Sequence, residues 1–155
     1  MLDADNAEAV FIEKLGMSAQ SDGLPRIAGR MMGFFVMYGG PFSFSELAEK
    51  LQISRGSVST NARILLQLGV LDRTAKPGDR QDYYQLASQP YARMLEGYVY
   101  RMNGLGEMVG DVASALPASD QARQARLSQL KQFYSIAIKN TNNIIADLRV
   151  DRDPV

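Results

Sequence analysis

Two long runs of apolar residues, spaced alternately four and three positions apart, dominate the second half of the chain. This spacing places each run on one face of a helix. The turn at Pro117–Asp120 separates the two helices, so the sequence predicts an antiparallel helical hairpin over residues 89–149, followed by a tail at 150–155. The runs are Tyr91, Leu95, Tyr98, Met102, Leu105, Val109, Val112 and Leu116, then Leu127, Leu130, Tyr134, Ala137, Thr141, Ile144 and Leu148.

These apolar faces could be covered within one chain or by a second copy of the chain. A small domain does not need two long amphipathic helices, and a helix at residues 1–18 is left over as well. We therefore expect the N-terminal helix and the C-terminal hairpin to form a homodimer interface. Packing within a single chain is the alternative.

Two short amphipathic helices separated by three residues lie in the middle of the chain. The first covers Ser45 to Leu51, and Ser43 with Glu46 forms a capping box before it. The second follows Ser54 and ends at Leu68. This arrangement predicts a helix-turn-helix. The apolar residues that can pack the two helices together at a steep angle are Leu47, Leu51, Ile53, Val58, Ala62 and Leu65.

The outer face of the second helix carries hydroxyls, an amide and arginine, and no acidic residue lies between Arg55 and Val70. Hydroxyl groups and the N–H groups of a helix N-terminus can bind phosphates. Thr, Gln and Arg side chains can reach base edges in the major groove. The candidate DNA-binding residues of this helix are Arg55, Ser57, Ser59, Thr60, Arg63 and Gln67.

A β-hairpin follows the second helix, with strands predicted at Val70–Ala75 and Gln81–Leu86. Lys76 and Arg80 lie in its turn and are further candidate DNA contacts. Asp79 lies between them and could cap the turn and pair with Arg80. The predicted fold is mainly α with a small β-hairpin wing: a winged helix-turn-helix over residues 20–88, flanked by long dimerisation helices.

Four stretches, Gly23–Arg30, Gly56–Ser59, Pro77–Arg80 and Tyr83–Tyr84, resemble the MarR family, particularly its GbsR-like branch. The resemblance covers about residues 20–90. It implies a homodimeric bacterial transcription regulator whose recognition helix enters the major groove, whose wing reaches the minor groove and whose terminal helices dimerise. Repression is the commoner mode in that family. Many members carry a further arginine near Arg80, where this chain has Gln81-Asp82.

The resemblance also implies a small-molecule effector bound between the dimerisation and DNA-binding regions. Some GbsR-like relatives sense quaternary ammonium compounds, which aromatic side chains bind well. We therefore expect an apolar or cationic effector between a helix predicted at about Leu24–Tyr38 and the Tyr91–Tyr100 stretch, with Phe35, Tyr38, Tyr91 and Tyr98 as candidate contacts. The alternative is that these rings belong to the core and the helical seams.

The amino-acid composition excludes most of the common catalytic mechanisms. The 155 residues contain no cysteine and no histidine, which excludes disulfides, thiolate and histidine metal sites, and Ser–His–Asp relays. The remaining carboxylates and tyrosines show no spacing that indicates catalysis, so neither an enzyme nor a metal or cofactor site is predicted.

The net charge is zero, from 17 basic and 17 acidic residues, but its distribution is uneven. Residues 25–85 carry eight bases and five acids, a net charge of +3 that suits a nucleic-acid partner. The N-terminus lacks the basic start of a signal peptide, and the strongly apolar stretch Met31–Tyr38 is far shorter than the roughly 20 residues of a membrane span. A cytoplasmic location is expected.

Several glycines fall within predicted helices. Gly29 and Gly33 indicate close packing of the helix predicted at about Leu24–Tyr38 against a neighbour. Gly97, Gly104, Gly106 and Gly110 indicate close helix contact as the first interpretation and a hinge as the second.

Together these features predict a sequence-specific DNA-binding transcription regulator, a repressor acting as a homodimer and released by a small molecule. The alternative is a winged-helix module used only for protein–protein contact. Such modules usually lose the basic, acid-free recognition helix that this chain retains.

Overall fold

The computed structural model describes residues 4–150, which form six helices and three strands. The mainly helical architecture with a small wing is confirmed. Residues 1–3 and 151–155 lie outside the described part of the chain, and with them the start of the predicted N-terminal segment and most of the predicted tail. In order, the elements are α1 (Ala4–Ser21), α2 (Arg26–Tyr38), β1 (Phe42–Ser43), α3 (Phe44–Leu51), α4 (Arg55–Gln67), β2 (Leu71–Ala75), β3 (Asp82–Leu86), α5 (Pro90–Ala115) and α6 (Gln121–Val150).

The described residues divide into two compact units, one reaching to Pro90 and the other beginning at Tyr91. Helix α1 belongs to the first unit, where it packs against α2. It continues three residues beyond residue 18, where the sequence predicted its end. Nothing breaks the helix before Gly23, whose φ of +84° closes it while the Leu24 N–H donates to the carbonyl of Ala19.

The packing of α1 on α2 depends on glycine, as the sequence predicted for Gly29 and Gly33. A Cβ on Gly29 would lie 2.5 Å from both the Ala19 Cβ and the Leu15 carbonyl oxygen. A Cβ on Gly33 would lie 3.1 Å from the Cα of Ile12. The two helices therefore approach closely enough that their backbones are in contact.

Gly29→Ala is expected to destabilise the first unit by about 1–3 kcal/mol, because the added methyl group meets backbone atoms that cannot rotate away. Thermal or urea unfolding measures the loss. Gly56→Ala is the matched control, since a Cβ there meets only the Ser54 Oγ, at 3.9 Å, and should cost nothing. Equal stability of the two variants would contradict the close approach of α1 and α2.

Ion pairs connect α1 to the rest of the first unit. Glu13 accepts a hydrogen bond from Arg26 at 2.8 Å, and its other oxygen lies 2.6 Å from the Arg30 Nε. The hydrogen bond from Arg26 is the main reason that the pKa of Glu13 is lowered. Arg30 also donates to the Leu51 carbonyl at 3.3 Å. One arginine of α2 thus links α1 to the C-terminal end of α3.

The helix-turn-helix has the core that the sequence predicted. Five of its apolar residues are buried, and Ile53 is half-buried. Both helix starts are capped as expected, with a complete capping box between Ser43 and Glu46 and with the Ser54 side chain at the start of α4. The buried residues are Leu47, Leu51, Val58, Ala62 and Leu65.

The wing is a three-stranded antiparallel sheet of order β1-β3-β2, rather than the two-stranded hairpin that the sequence predicted. Strand β1 pairs Phe42 with Tyr84 and Ser43 with Tyr83. The two long strands are each one residue shorter than predicted. Because β3 is central, its residues are fixed from both sides, and the Phe44 ring packs edge-on against Tyr84 at 5.3 Å.

In the second unit α5 and α6 run antiparallel and form a helical hairpin. The Gln124 side chain donates to the Ala113 carbonyl at 2.8 Å near the turn, and Arg149 pairs with Glu96 near the open end. Buried residues of the hairpin include Val109, Thr141 and Ile145.

The helix-contact interpretation of the α5 glycines is wrong for the described chain. A Cβ on Gly104 would meet nothing within 4 Å, and one on Gly97 would meet only a flexible arginine nitrogen, at 3.5 Å. Gly106 and Gly110 have α6 neighbours at ordinary contact distances of 3.9 and 3.5 Å. Helices α5 and α6 pack through side chains here, so no contact between the described helices requires glycine at these positions.

Candidate DNA-binding interface

Helix α4 begins at Arg55 after the Ser54 cap, and its first turn carries no acidic residue. The Ser54 Oγ accepts from the Ser57 N–H at 3.1 Å and donates to the Ser57 hydroxyl at 3.0 Å. These bonds fix the direction of the first turn. A helix start of this kind favours negatively charged groups, such as phosphates, near it.

The two faces of α4 separate as the sequence predicted. Val58, Ala62 and Leu65 are buried, whereas the polar residues of the other face remain accessible. The inner face also holds a polar residue that the sequence analysis did not predict there. Asn61 is buried, and its Nδ2 donates to the Ser57 carbonyl at 2.8 Å. Of the candidate contacts on this helix, Arg55, Thr60, Arg63 and Gln67 are exposed and Ser57 and Ser59 are half-buried.

The wing lies beside the start of α4. Phe44, Arg55 and Gly56 line a cleft of about 390 Å³ together with Gln81 and Asp82 of the wing. The structure therefore brings the N-terminal end of α4 and the turn end of β3 to one side of the first unit.

At the wing tip, Asp79 caps the turn as expected, because its Oδ1 accepts from the Gln81 N–H at 2.9 Å. The predicted pairing with Arg80 is wrong: Oδ2 accepts from the Tyr83 hydroxyl at 2.6 Å instead. Within the described part of the chain, no ion pair engages the Arg80 guanidinium. Lys76 lies over the Tyr83 ring, with its Nζ 4.2 Å from the ring centroid.

Comparison with known proteins decides the family. The model of the MarR family matches residues 22–82, which hold α2, the helix-turn-helix and most of the wing. The chain is also 30% identical, over 138 residues, to the HTH-type transcriptional regulator MmpR5 of Mycobacterium tuberculosis, covering 88% of this chain and 81% of that relative. The chain belongs to the MarR family.

Two further comparisons agree with this MarR-family assignment. A crystal structure of a transcriptional regulator matches with a TM-score of 0.81 and 28% identity, over 91% of this chain and 97% of the other. The HTH-type transcriptional repressor OpcR of Bacillus subtilis is 28% identical over 87 residues, which cover 56% of this chain and 47% of OpcR. The relatives are DNA-binding transcriptional regulators and not enzymes.

The rings proposed for effector binding in this MarR-family chain differ in accessibility. Phe35 is fully buried in the first unit, with the Phe34 and Phe42 rings at 6.0 Å. Tyr38 is 49% exposed, and its hydroxyl donates to Glu8. In the second unit Tyr91 is 41% exposed and Tyr98 is half-buried. Of Phe35 and Tyr38, only Tyr38 presents its ring to a ligand without rearrangement of the core.

Among the residues that the structure describes, no cluster of three or more acidic side chains is arranged to hold a metal ion. None of the helices in that part of the chain has both the length and the apolar character needed to cross a membrane.

Proposed function

We propose that this protein is a cytoplasmic, sequence-specific repressor that binds its operator as a homodimer and is released from it by a small-molecule effector. The exposed, acid-free outer face of α4 beside the wing is the observation that carries the proposal. A polyanion meets arginine, hydroxyl and amide groups on that face and no carboxylate.

Thr60 and Arg63 lie in the middle of α4, where a helix in the major groove reaches base edges, and we assign them to base reading. Gln67 lies further along the same exposed face. Ser57 and Ser59 lie nearer the N-terminus and are assigned to phosphate contacts. The cations Arg55, Lys76 and Arg80 act mainly through charge.

The homodimer is supported by apolar side chains that the single chain leaves exposed. They lie on both helices of the hairpin, whereas helix faces that stay in water carry mainly polar and charged residues. A second copy of the chain is the occupant that a two-fold symmetric regulator requires, because it places two recognition helices on successive major grooves. The exposed residues are Leu105, Met108, Val112, Leu130, Phe133, Ile136 and Ile144. We assign α1 to the same interface.

Two finer assignments rest on the relatives. Repression is suggested by the similarity to OpcR, which is described as a repressor. We place the chain in the GbsR-like branch of the family because of the resemblance carried by Gly23–Arg30, Gly56–Ser59, Pro77–Arg80 and Tyr83–Tyr84.

The candidate effector contacts remain Phe35, Tyr38, Tyr91 and Tyr98, and the surroundings of Tyr38 in the first unit support the assignment. Phe34 and Tyr38 have ring centroids 4.8 Å apart, and the Glu8 carboxylate accepts from the Tyr38 hydroxyl. Aromatic faces with a carboxylate nearby favour an organic cation over an anion. This composition supports a choline-like ligand class.

Saturating choline is expected to raise the melting temperature by a few degrees and to weaken operator binding, since a ligand that binds one state stabilises that state. Thermal shift and fluorescence anisotropy measure the two effects. The neutral isostere 3,3-dimethylbutanol should do neither, and Tyr38→Ala should abolish the response to choline while leaving ligand-free DNA binding intact. If choline-like cations change neither quantity, the proposed ligand class is wrong.

A winged-helix module for protein–protein contact is the second candidate. It is disfavoured by the accessible arginine-bearing face of α4, which such a module would not need to keep free of acidic residues. Failure to bind any duplex DNA would favour it.

A further inference from the structure

We propose that Tyr83 is a positioning residue of the DNA interface: its hydroxyl, bound to Asp79, holds the wing tip in the shape that presents Arg80 to DNA. The inference rests on the proposed DNA contact of Arg80, and it adds a residue that makes no DNA contact itself.

A closed set of hydrogen bonds defines the tip. The Asp79 N–H donates to the Lys76 carbonyl at 3.1 Å, and the Asp79 carboxylate accepts from the Gln81 N–H at 2.9 Å and from the Tyr83 hydroxyl at 2.6 Å. The bond to Tyr83 is the one that ties the exposed turn to a buried residue of the sheet.

Tyr83 is a rigid anchor. It lies in the central strand, opposite Ser43 on one side and Thr74 on the other, and only 7% of its surface is exposed. Its ring also supports the Lys76 ammonium at 4.2 Å. Two functional groups of one side chain therefore restrain both arms of the turn.

The hydrogen bond from Tyr83 to Asp79 also determines whether the Arg80 guanidinium is available to DNA. The Asp79 carboxylate stays ionised, because the Tyr83 hydroxyl and then the Gln81 N–H lower its pKa by hydrogen bonding to the charged form. An ionised carboxylate beside Arg80 would compete with DNA phosphates for the guanidinium. Because the Asp79 carboxylate is turned towards Tyr83, the Arg80 guanidinium is left available to DNA.

Without the hydroxyl, the tip has to be ordered when DNA binds, and Asp79 is released to pair with Arg80. Both consequences weaken binding through Arg80. Ordering a few flexible groups on association lowers affinity by up to about tenfold.

Tyr83→Phe tests this, because it removes the hydroxyl and keeps the ring over which Lys76 lies. We expect operator affinity to fall about five- to tenfold and the melting temperature to fall by no more than a few degrees. In an Arg80→Ala background the same substitution should have no further effect. Tyr84→Phe, at the neighbouring buried position of β3, is the control and should bind as the wild type does.

A second measurement does not depend on DNA. The Gln81 amide should exchange with solvent faster in Tyr83→Phe than in the wild type, because its acceptor, Asp79, is no longer held. Unchanged affinity, an unchanged exchange rate, or an equal loss with and without Arg80 would each overturn the proposal. Absence of DNA binding by the wild type would instead refute the proposed function.

Discussion

Replacing Phe133 and Ile136 of α6 with glutamate is expected to convert the protein to monomers and to abolish detectable operator binding. These side chains are 55% and 53% exposed in the single chain, so glutamate at either position costs little in folding. At a dimer interface each substitution removes about 1.5–3 kcal/mol of stabilisation from apolar burial and introduces an unpaired charge. Dimerisation should weaken by more than roughly 100-fold.

Sedimentation velocity at micromolar concentration measures the change, and DNA anisotropy measures its consequence. The matched control is the pair Ser135→Glu and Asn142→Glu, which adds the same charge at exposed positions on the side of α6 opposite Phe133. The control should remain dimeric. A Phe133/Ile136 variant that stays dimeric would show that the interface lies elsewhere on the chain. A monomeric wild type would refute the homodimer.

Arg63→Ala is expected to cost about 1–3 kcal/mol on the operator, roughly 5- to 150-fold in Kd, and much less on random-sequence DNA. Arg63 projects from the exposed face in the middle of α4, where a guanidinium can form two hydrogen bonds to guanine. Because that contact exists only on the correct sequence, its loss falls mainly on specific binding.

Lys76→Ala is the comparison that separates base reading from charge. It should weaken binding to both duplexes about equally and reduce the salt slope by roughly one unit, since a phosphate contact carries no sequence information. Isotherms on both duplexes across a salt series give the two slopes. Equal losses for Arg63→Ala on both duplexes would contradict the base-reading assignment.

Much of the fold follows from local signals in the sequence. The serine caps at residues 43 and 54 and the inward apolar spacing of the helix-turn-helix act within a few residues of each other. Strand β1 has no such signal: Phe42 and Ser43 are extended because β3, forty residues later, pairs with them. Likewise, Gly29 in α2 and Gly104 in α5 cannot be told apart by the sequence around them. Gly29 is required because α1 packs closely against it, whereas no described neighbour lies close to Gly104.

The candidate interface shows the same division. The exposed face of α4 follows from helical periodicity and could be predicted. The partner of Asp79 could not, because its choice between Arg80 and Tyr83 depends on how the strands pair across the turn. Tyr83 and Tyr84 are adjacent in β3 and both buried, so the alternation of a strand does not distinguish them, and nothing in the sequence indicates the role of the Tyr83 hydroxyl.

The most direct test is binding of the purified wild-type chain to DNA flanking its own gene, measured by mobility shift at physiological salt with excess random-sequence competitor. The account predicts a discrete complex of one dimer per site that survives the competitor, because specific sites are typically bound at least 10³-fold more tightly than random DNA. A complex that the competitor removes in proportion to its concentration, or no complex at all, would contradict it.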